Sequence, residues 1–252
     1  MTIDGLGRVG QSEPRPPESM PLVALLIVLT ITTGLIDAVS MLGLGRVFTA
    51  NMTGNVVFLG FALAGTPGFS ADRSLVSLAA FLVGAVAGGS LAARLECSRA
   101  RWLLTAALIE TGLLAAAAVV SGGYDPERLM PVGLLYTLIA LTAVAMGVRN
   151  ATMRRLSIPD LTTTVLTLTL TGLGADSSLA RGSNPRWSRR LTSAVAILGG
   201  AGLGAALVLR KGLTAPLALT AAITLGSTIA YAALAAPPVE SQGMPRAGMP
   251  RA

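Results

Sequence analysis

Glu110 is the ninth residue of an apolar run that begins at Trp102, WLLTAALIETGLLAAAAVV, which puts one carboxyl near the middle of a stretch long enough to cross a bilayer. An ionisable group at that depth is expensive and is usually kept for proton or cation handling. The alternative is a neutral glutamic acid hydrogen-bonded to a neighbouring helix. A second acid, Asp37, lies about 22 Å along the first apolar run from Leu22 at the helical rise, near the outer boundary. It is read either as a proton or cation ligand or as an interfacial carboxylate that caps the segment after it or pairs with Arg46. Arg149, beside Asn150 and followed by Arg154, Arg155 and Asp160, is expected at the cytoplasmic mouth. There it would gate or attract an anion, or simply fix orientation.

Uncharged chemistry is concentrated in two stretches. FTANMTGNVVFLG carries Thr49, Asn51, Thr53 and Asn55 at every second position, with Gly54 among them. LTTTVLTLTLTG repeats the alternation with Thr162, Thr164, Thr167, Thr169 and Thr171. Successive helical residues turn by about 100°, so no face of 48–55 is free of polar groups and none suits lipid. Backbone that leaves helical geometry at membrane depth must line a cavity or be shielded by protein. Asn51, Thr53, Gly54, Asn55, Asn150, Thr163, Thr164 and Thr167 are therefore the candidate binding residues for a small solute or ion at the midplane, with Asp37, Glu110 and Arg149 as coupling or gating groups. The bland reading of the same residues is that they cap short helices and bond neighbouring ones.

Composition limits the rest. The 252 residues are 52% hydrophobic and 12% charged, against about a quarter charged in a soluble domain, and the mean hydropathy is +0.69. The net charge of +7 resides in the gaps between apolar runs, which indicates membrane topology and not nucleic-acid binding. With no histidine and a single cysteine, Cys97, the chain has neither a disulfide framework nor a Cys/His metal site, and no cofactor is expected. No phosphate-binding loop, nucleophile elbow or triad is present, so an enzyme is not expected.

The elements that must hold these residues are eight apolar runs, at about 22–44, 48–64, 75–93, 102–120, 131–149, 161–175, 191–209 and 213–236. Six match the roughly 17–25 residues that cross a ~30 Å core as helix. The second and sixth do not: Val56–Ala64 reaches only about 14 Å and Leu161–Leu173 only about 20 Å as helix. These two occupy the same place in an internal repeat, in which GLIDAVSMLGLGRVFTANMTGN (34–55) aligns with GVRNATMRRLSIPDLTTTVLTLT (147–169). Gly34 then meets Gly147, Asp37 meets Asn150 and Thr49 meets Thr162, all 113 residues apart. Eight full spans would divide the basic residues almost evenly. Six spans with two re-entrant half-helices leave Arg46, Arg73, Arg128, Arg210 and Lys211 on one side and the other 14 of 19 on the opposite side. The positive-inside rule selects the second arrangement, with both termini cytoplasmic and the two halves inverted.

The motif pair formed by Asp37-Ala38, Asn51–Asn55, Asn150–Thr152 and Thr162–Thr171 resembles the YoaK-like family of bacterial polytopic inner-membrane proteins, a domain of unknown function, over about residues 22–236. The resemblance implies multi-pass residence in the inner membrane and carries no substrate. One departure is Thr167-Leu168, where the family pattern leads one to expect Thr-Gly.

The expected architecture is an all-α polytopic membrane bundle of about six transmembrane helices plus two re-entrant half-helices, in an inverted internal repeat. Disordered tails (1–20 and 237–252) flank a first membrane repeat (21–122) and a second (123–236). Gly84, Gly88 and Gly89, with Gly199, Gly200, Gly202 and Gly204, fall in the third segment of each half. They suit close contact between the halves or a homodimer face. The expected partners are the lipid bilayer and a small solute or ion. Transporter or permease and non-transporting scaffold or accessory subunit both remain open at this level, while an intramembrane enzyme is disfavoured because Glu110 and Asp37 lack a nucleophile or metal partner.

Overall fold

A computed structural model describes residues 20–95, 98–156, 166–184 and 187–235. The expected tails, apart from Met20, lie outside these residues, and so do Thr163 and Thr164. In chain order the helices are α1 (Met20–Gly43), α2 (Met52–Leu63), α3 (Ala71–Arg94), α4 (Arg99–Ser121), α5 (Val132–Leu156), α6 (Leu166–Ala175), α7 (Trp187–Lys211) and α8 (Thr214–Ala235). Six are long and apolar enough to span a bilayer, and α2 and α6 are not. Helix is the form these runs must take in lipid, because it alone satisfies every backbone N–H and C=O within one segment. Local signals mark the ends: the Ser70 hydroxyl caps α3 by accepting from the Arg73 N–H, and Gly212, at φ +71°, supplies the left-handed residue just after α7.

Contacts between the turns show how the spans run. Tyr124, just after α4, donates its hydroxyl to the Gly43 carbonyl at the end of α1 (3.0 Å), and Ser121 bonds Thr214 at the start of α8 (2.8 Å). Burial pushes the Tyr124 phenol up to about 12, so it remains a donor at neutral pH. Beside them Gly45 packs against Arg73 and Leu129. The finish of α1 and the start of α3 thus share one end of the bundle, called here the far end, and α2 between them does not cross. The near end holds the start of α1 and a cluster of Leu22, Leu25, Leu26, Ala92, Trp102, Leu103, Met153 and Tyr231. On that end α6 lies against the first turn of α7, where Arg190 pairs with Asp176 (2.7 Å).

Helices α1 and α5 are the buried centre, while α3 and α7 present residues such as Leu82, Val83, Val86, Val195 and Leu198 outward as a lipid-facing belt. The centre is clamped by backbone approaches that only glycine permits. A Cβ on Gly34 would run into Ile197 and Ala201 of α7, and one on Gly147, 113 residues later, into Phe81 and Ala85 of α3. Gly200 abuts the Ile31 carbonyl as Gly84 abuts that of Val144. Helix α1 therefore packs on α7 as α5 packs on α3, and the remaining core contacts, α4 on α8, α4 on α5 and α1 on α8, close the bundle. The run expected to stop at Arg149 instead stays helical to Leu156, about two turns further, and this brings Arg149 inside the bundle.

Candidate functional site

Helix α4 places Glu110 at its middle, α5 places Arg149 opposite, and the two form an ion pair with side chains only 5% and 2% exposed. Arg149 Nη2 donates to Glu110 Oε1 and to the Thr224 hydroxyl of α8 (2.9 Å). Its Nη1 donates to the Leu29 carbonyl and to the Thr33 hydroxyl of α1 (both 3.2 Å). Thr224 in turn donates to Glu110 Oε1 (3.3 Å), so both hydrogen bonds of the carboxylate arrive at one oxygen. Arg149 Nε is buried with no hydrogen-bond partner. Four helices from both halves of the chain thus meet on one guanidinium, and hydrogen bonding of this density is what makes a charge pair tolerable in a dry interior.

A cavity of about 30 Å³ adjoins the pair and runs toward the near end as far as Leu156. Apart from Glu110, Arg149, Thr152, Thr224 and Thr228, its wall is aliphatic, with Leu29, Ala106, Ala107 and Met153 among the lining side chains. That volume holds one or two water-sized groups.

The uncharged candidates are placed otherwise. Asn55 is buried, but its amide is spent on the chain itself: Oδ1 accepts from the Phe48 N–H (2.9 Å), while Nδ2 donates to the Phe48 carbonyl (2.6 Å) and to Ser77 (3.1 Å). Ser77 also donates to the Phe48 carbonyl (2.6 Å). The side-chain amide replaces a neighbouring strand for the backbone of Phe48, which lies in the non-helical stretch between α1 and α2, and this is why the stretch needs asparagine there. Gly54 gives room to the Phe48 ring. Asn51 and Thr53, expected to face the interior, are exposed, as is Thr167 on α6. Leu168, where glycine was expected, is exposed too. Asn150 donates to the Met146 carbonyl of its own helix (2.8 Å).

The two half-helices do not face each other across the midplane. Helix α2 leans on α3 at the far end and α6 on α7 at the near end, so the charged pair, not the polar stretches, occupies the centre. Asp37 keeps one carboxylate oxygen buried without a hydrogen bond and forms no ion pair with Arg46, which lies over the Phe69 ring instead. Arg149, expected at the mouth, is the core of the arrangement. Thr33, Thr224 and Ser77 were not singled out from the sequence. Nothing distinguishes them there from other hydroxyls in apolar helices, and only the helix partners show what they meet.

Replacing Asn55 by alanine leaves the Phe48 N–H without its acceptor inside the bundle, at an expected cost of about 1–3 kcal/mol. Ser77→Ala should cost less, because Asn55 still holds the Phe48 carbonyl. Thermal unfolding of the purified variants in detergent checks both, and a larger loss for Ser77→Ala than for Asn55→Ala would show that Ser77, not Asn55, carries the clamp.

Residues 25–230 match the family described as protein of unknown function, DUF1275. Over 155 residues the chain is 34% identical to the UPF0700 transmembrane protein YoaK of Bacillus subtilis strain 168, an alignment covering 61% of this chain and 66% of that protein, just under two thirds of its length. No solved structure matches.

Proposed function

Since this chain belongs to the DUF1275 family, whose matched relative is a transmembrane protein, we propose that it is a small-solute transporter of the bacterial inner membrane that works around the Glu110–Arg149 pair. The observation that carries this reading is the pair itself, a charge centre at the middle of the bundle with a cavity beside it. Intramembrane ionisable groups of this kind are costly and mark solute and proton routes. The recurrence of the Gly34–α7 contact as Gly147–α3 supports reading the halves as an inverted repeat, the architecture in which alternating access arises by rocking one half against the other. The excess of basic residues at the near end, including Arg94, Arg99, Arg154, Arg155 and Arg189, argues that this end and both termini are cytoplasmic.

Alternating access can be tested without knowing the solute. In a Cys97→Ser background, Ala107→Cys places a thiol in the cavity wall, and membrane-impermeant methanethiosulfonate is applied to sealed vesicles of either orientation. A transporter exposes this position to each side in turn, so modification is expected from both. Leu179→Cys at the near end and Thr66→Cys at the far end should react from one side only, the former from the cytoplasm. Modification of Ala107→Cys from a single side, or from neither, would mean a static scaffold.

A further inference from the structure

Resting on that reading, we propose that the solute is a small aliphatic monocarboxylate, bound by Arg149 in place of Glu110 and carried together with one proton on Glu110. The guanidinium offers two donors to such a ligand. Nε is buried with no acceptor, and Nη2 is held by Glu110 and Thr224. A carboxylate that displaces Glu110 from Nη2 and also accepts from Nε engages the planar fork through two parallel bonds, the arrangement guanidinium groups favour. Nη1, occupied by Leu29 and Thr33, keeps the arginine in place during the exchange.

Displacement leaves Glu110 inside the bundle with no cation. Among the described residues that line the cavity, no titratable group other than Glu110 and Arg149 is present. Helix α1 brings only Asp37, one turn beyond Thr33 and not bonded to the pair. Helix α8 brings only Tyr231, which packs in the near-end cluster. On α4 the other ionisable groups are Arg99 and Arg101, both exposed in its first turn, and on α5 they are Tyr136, Arg154 and Arg155. A bare carboxylate there would be an uncompensated buried charge, so exchange is favourable only if Glu110 takes up a proton. The balance is then one anion and one proton in, with Arg149 paired throughout and the site neutral before and after. At the opposite face, loss of the proton lets Glu110 take Nη2 again and expels the ligand. The aliphatic wall formed by Leu29, Ala106, Ala107 and Met153 leaves room beside the pair for no more than a methyl group and offers no carboxylate besides Glu110 to hold an ammonium group.

The test is equilibrium binding of radiolabelled formate, acetate and glycine, ligands small enough for the cavity, to the purified full chain in nanodiscs between about pH 6 and 8. Uptake of one proton with each carboxylate makes affinity rise by about tenfold for each pH unit of acidification. Formate and acetate should follow that slope and glycine should bind weakly. Glu110→Gln, which mimics the protonated side chain, should bind acetate with no pH dependence. Preference for glycine, carboxylate binding independent of pH in the native chain, or an unchanged slope in Glu110→Gln would each overturn the proposal. Absence of carboxylate binding together with two-sided modification of Ala107→Cys would reject this substrate class and leave the transporter reading standing. One-sided modification would reject both.

Discussion

Replacing Arg149 by methionine is expected to destabilise the protein by about 3–5 kcal/mol, the range for breaking a buried ion pair from one side. The loss is not the attraction between two charges, since burying both already offsets most of that. It is the cost of leaving Glu110 at the centre of α4 with a single hydroxyl, Thr224, as its partner. Thr33 and the Leu29 carbonyl lose a donor in the same step, but Thr33 still donates to that carbonyl (3.0 Å) and the α1 backbone is undisturbed. The double variant Glu110→Gln/Arg149→Met should therefore recover most of the loss, because a neutral amide can bond Thr224 without a counter-charge. Melting midpoints in detergent, read by size-exclusion fluorescence, separate the outcomes. Equal loss in the single and double variants would show that Arg149 contributes through packing of its aliphatic stem and not through charge.

How much of this centre could be read from the sequence depends on what each residue's signal is. The six spans and two short helices follow from run length and from the placement of arginines, because a bilayer imposes both directly. Glu110 was legible for the same reason, as an acid in an otherwise apolar run. Arg149 was visible but misplaced. A charge at the edge of an apolar run reads as the end of a span, and only its partner on α4 explains why α5 continues helical past it. The alternating Asn and Thr residues of 48–55 announce polar groups in need of partners, but the structure divides them: Asn51 and Thr53 are exposed, while Asn55 is buried and bonded to Phe48 and Ser77. A sequence pattern shows that polar groups need partners, but not whether the partner is a ligand or the chain's own backbone.

The glycines give the second large effect, and here the sign of one substitution should reverse between neighbours. Gly199, Gly200 and Gly202 look alike in the sequence, and alanine is favoured over glycine in any helix by about 1 kcal/mol. At Gly199, Gly202 and Gly89 a Cβ meets nothing within 4 Å, so alanine is expected to be neutral or stabilising. At Gly200 and Gly84 it would strike the Ile31 and Val144 carbonyls, and these are backbone atoms that no rotamer change can move aside. Overpacking of that kind costs about 1–3 kcal/mol, and the upper end applies because α1 and α7, or α3 and α5, must separate along their closest contact. Gly200→Ala and Gly84→Ala should lower the melting midpoint by similar amounts, since each joins a helix of one half to a helix of the other in the same way. A loss at Gly200 without one at Gly84 would mean that the α3–α5 contact can relax where the α1–α7 contact cannot. The two contacts would then differ in stiffness, with α3 and α5 the pair able to slide past each other. Equal losses would make both glycine contacts rigid and leave α4–α8, α4–α5 and α1–α8 as the contacts between the halves that can yield.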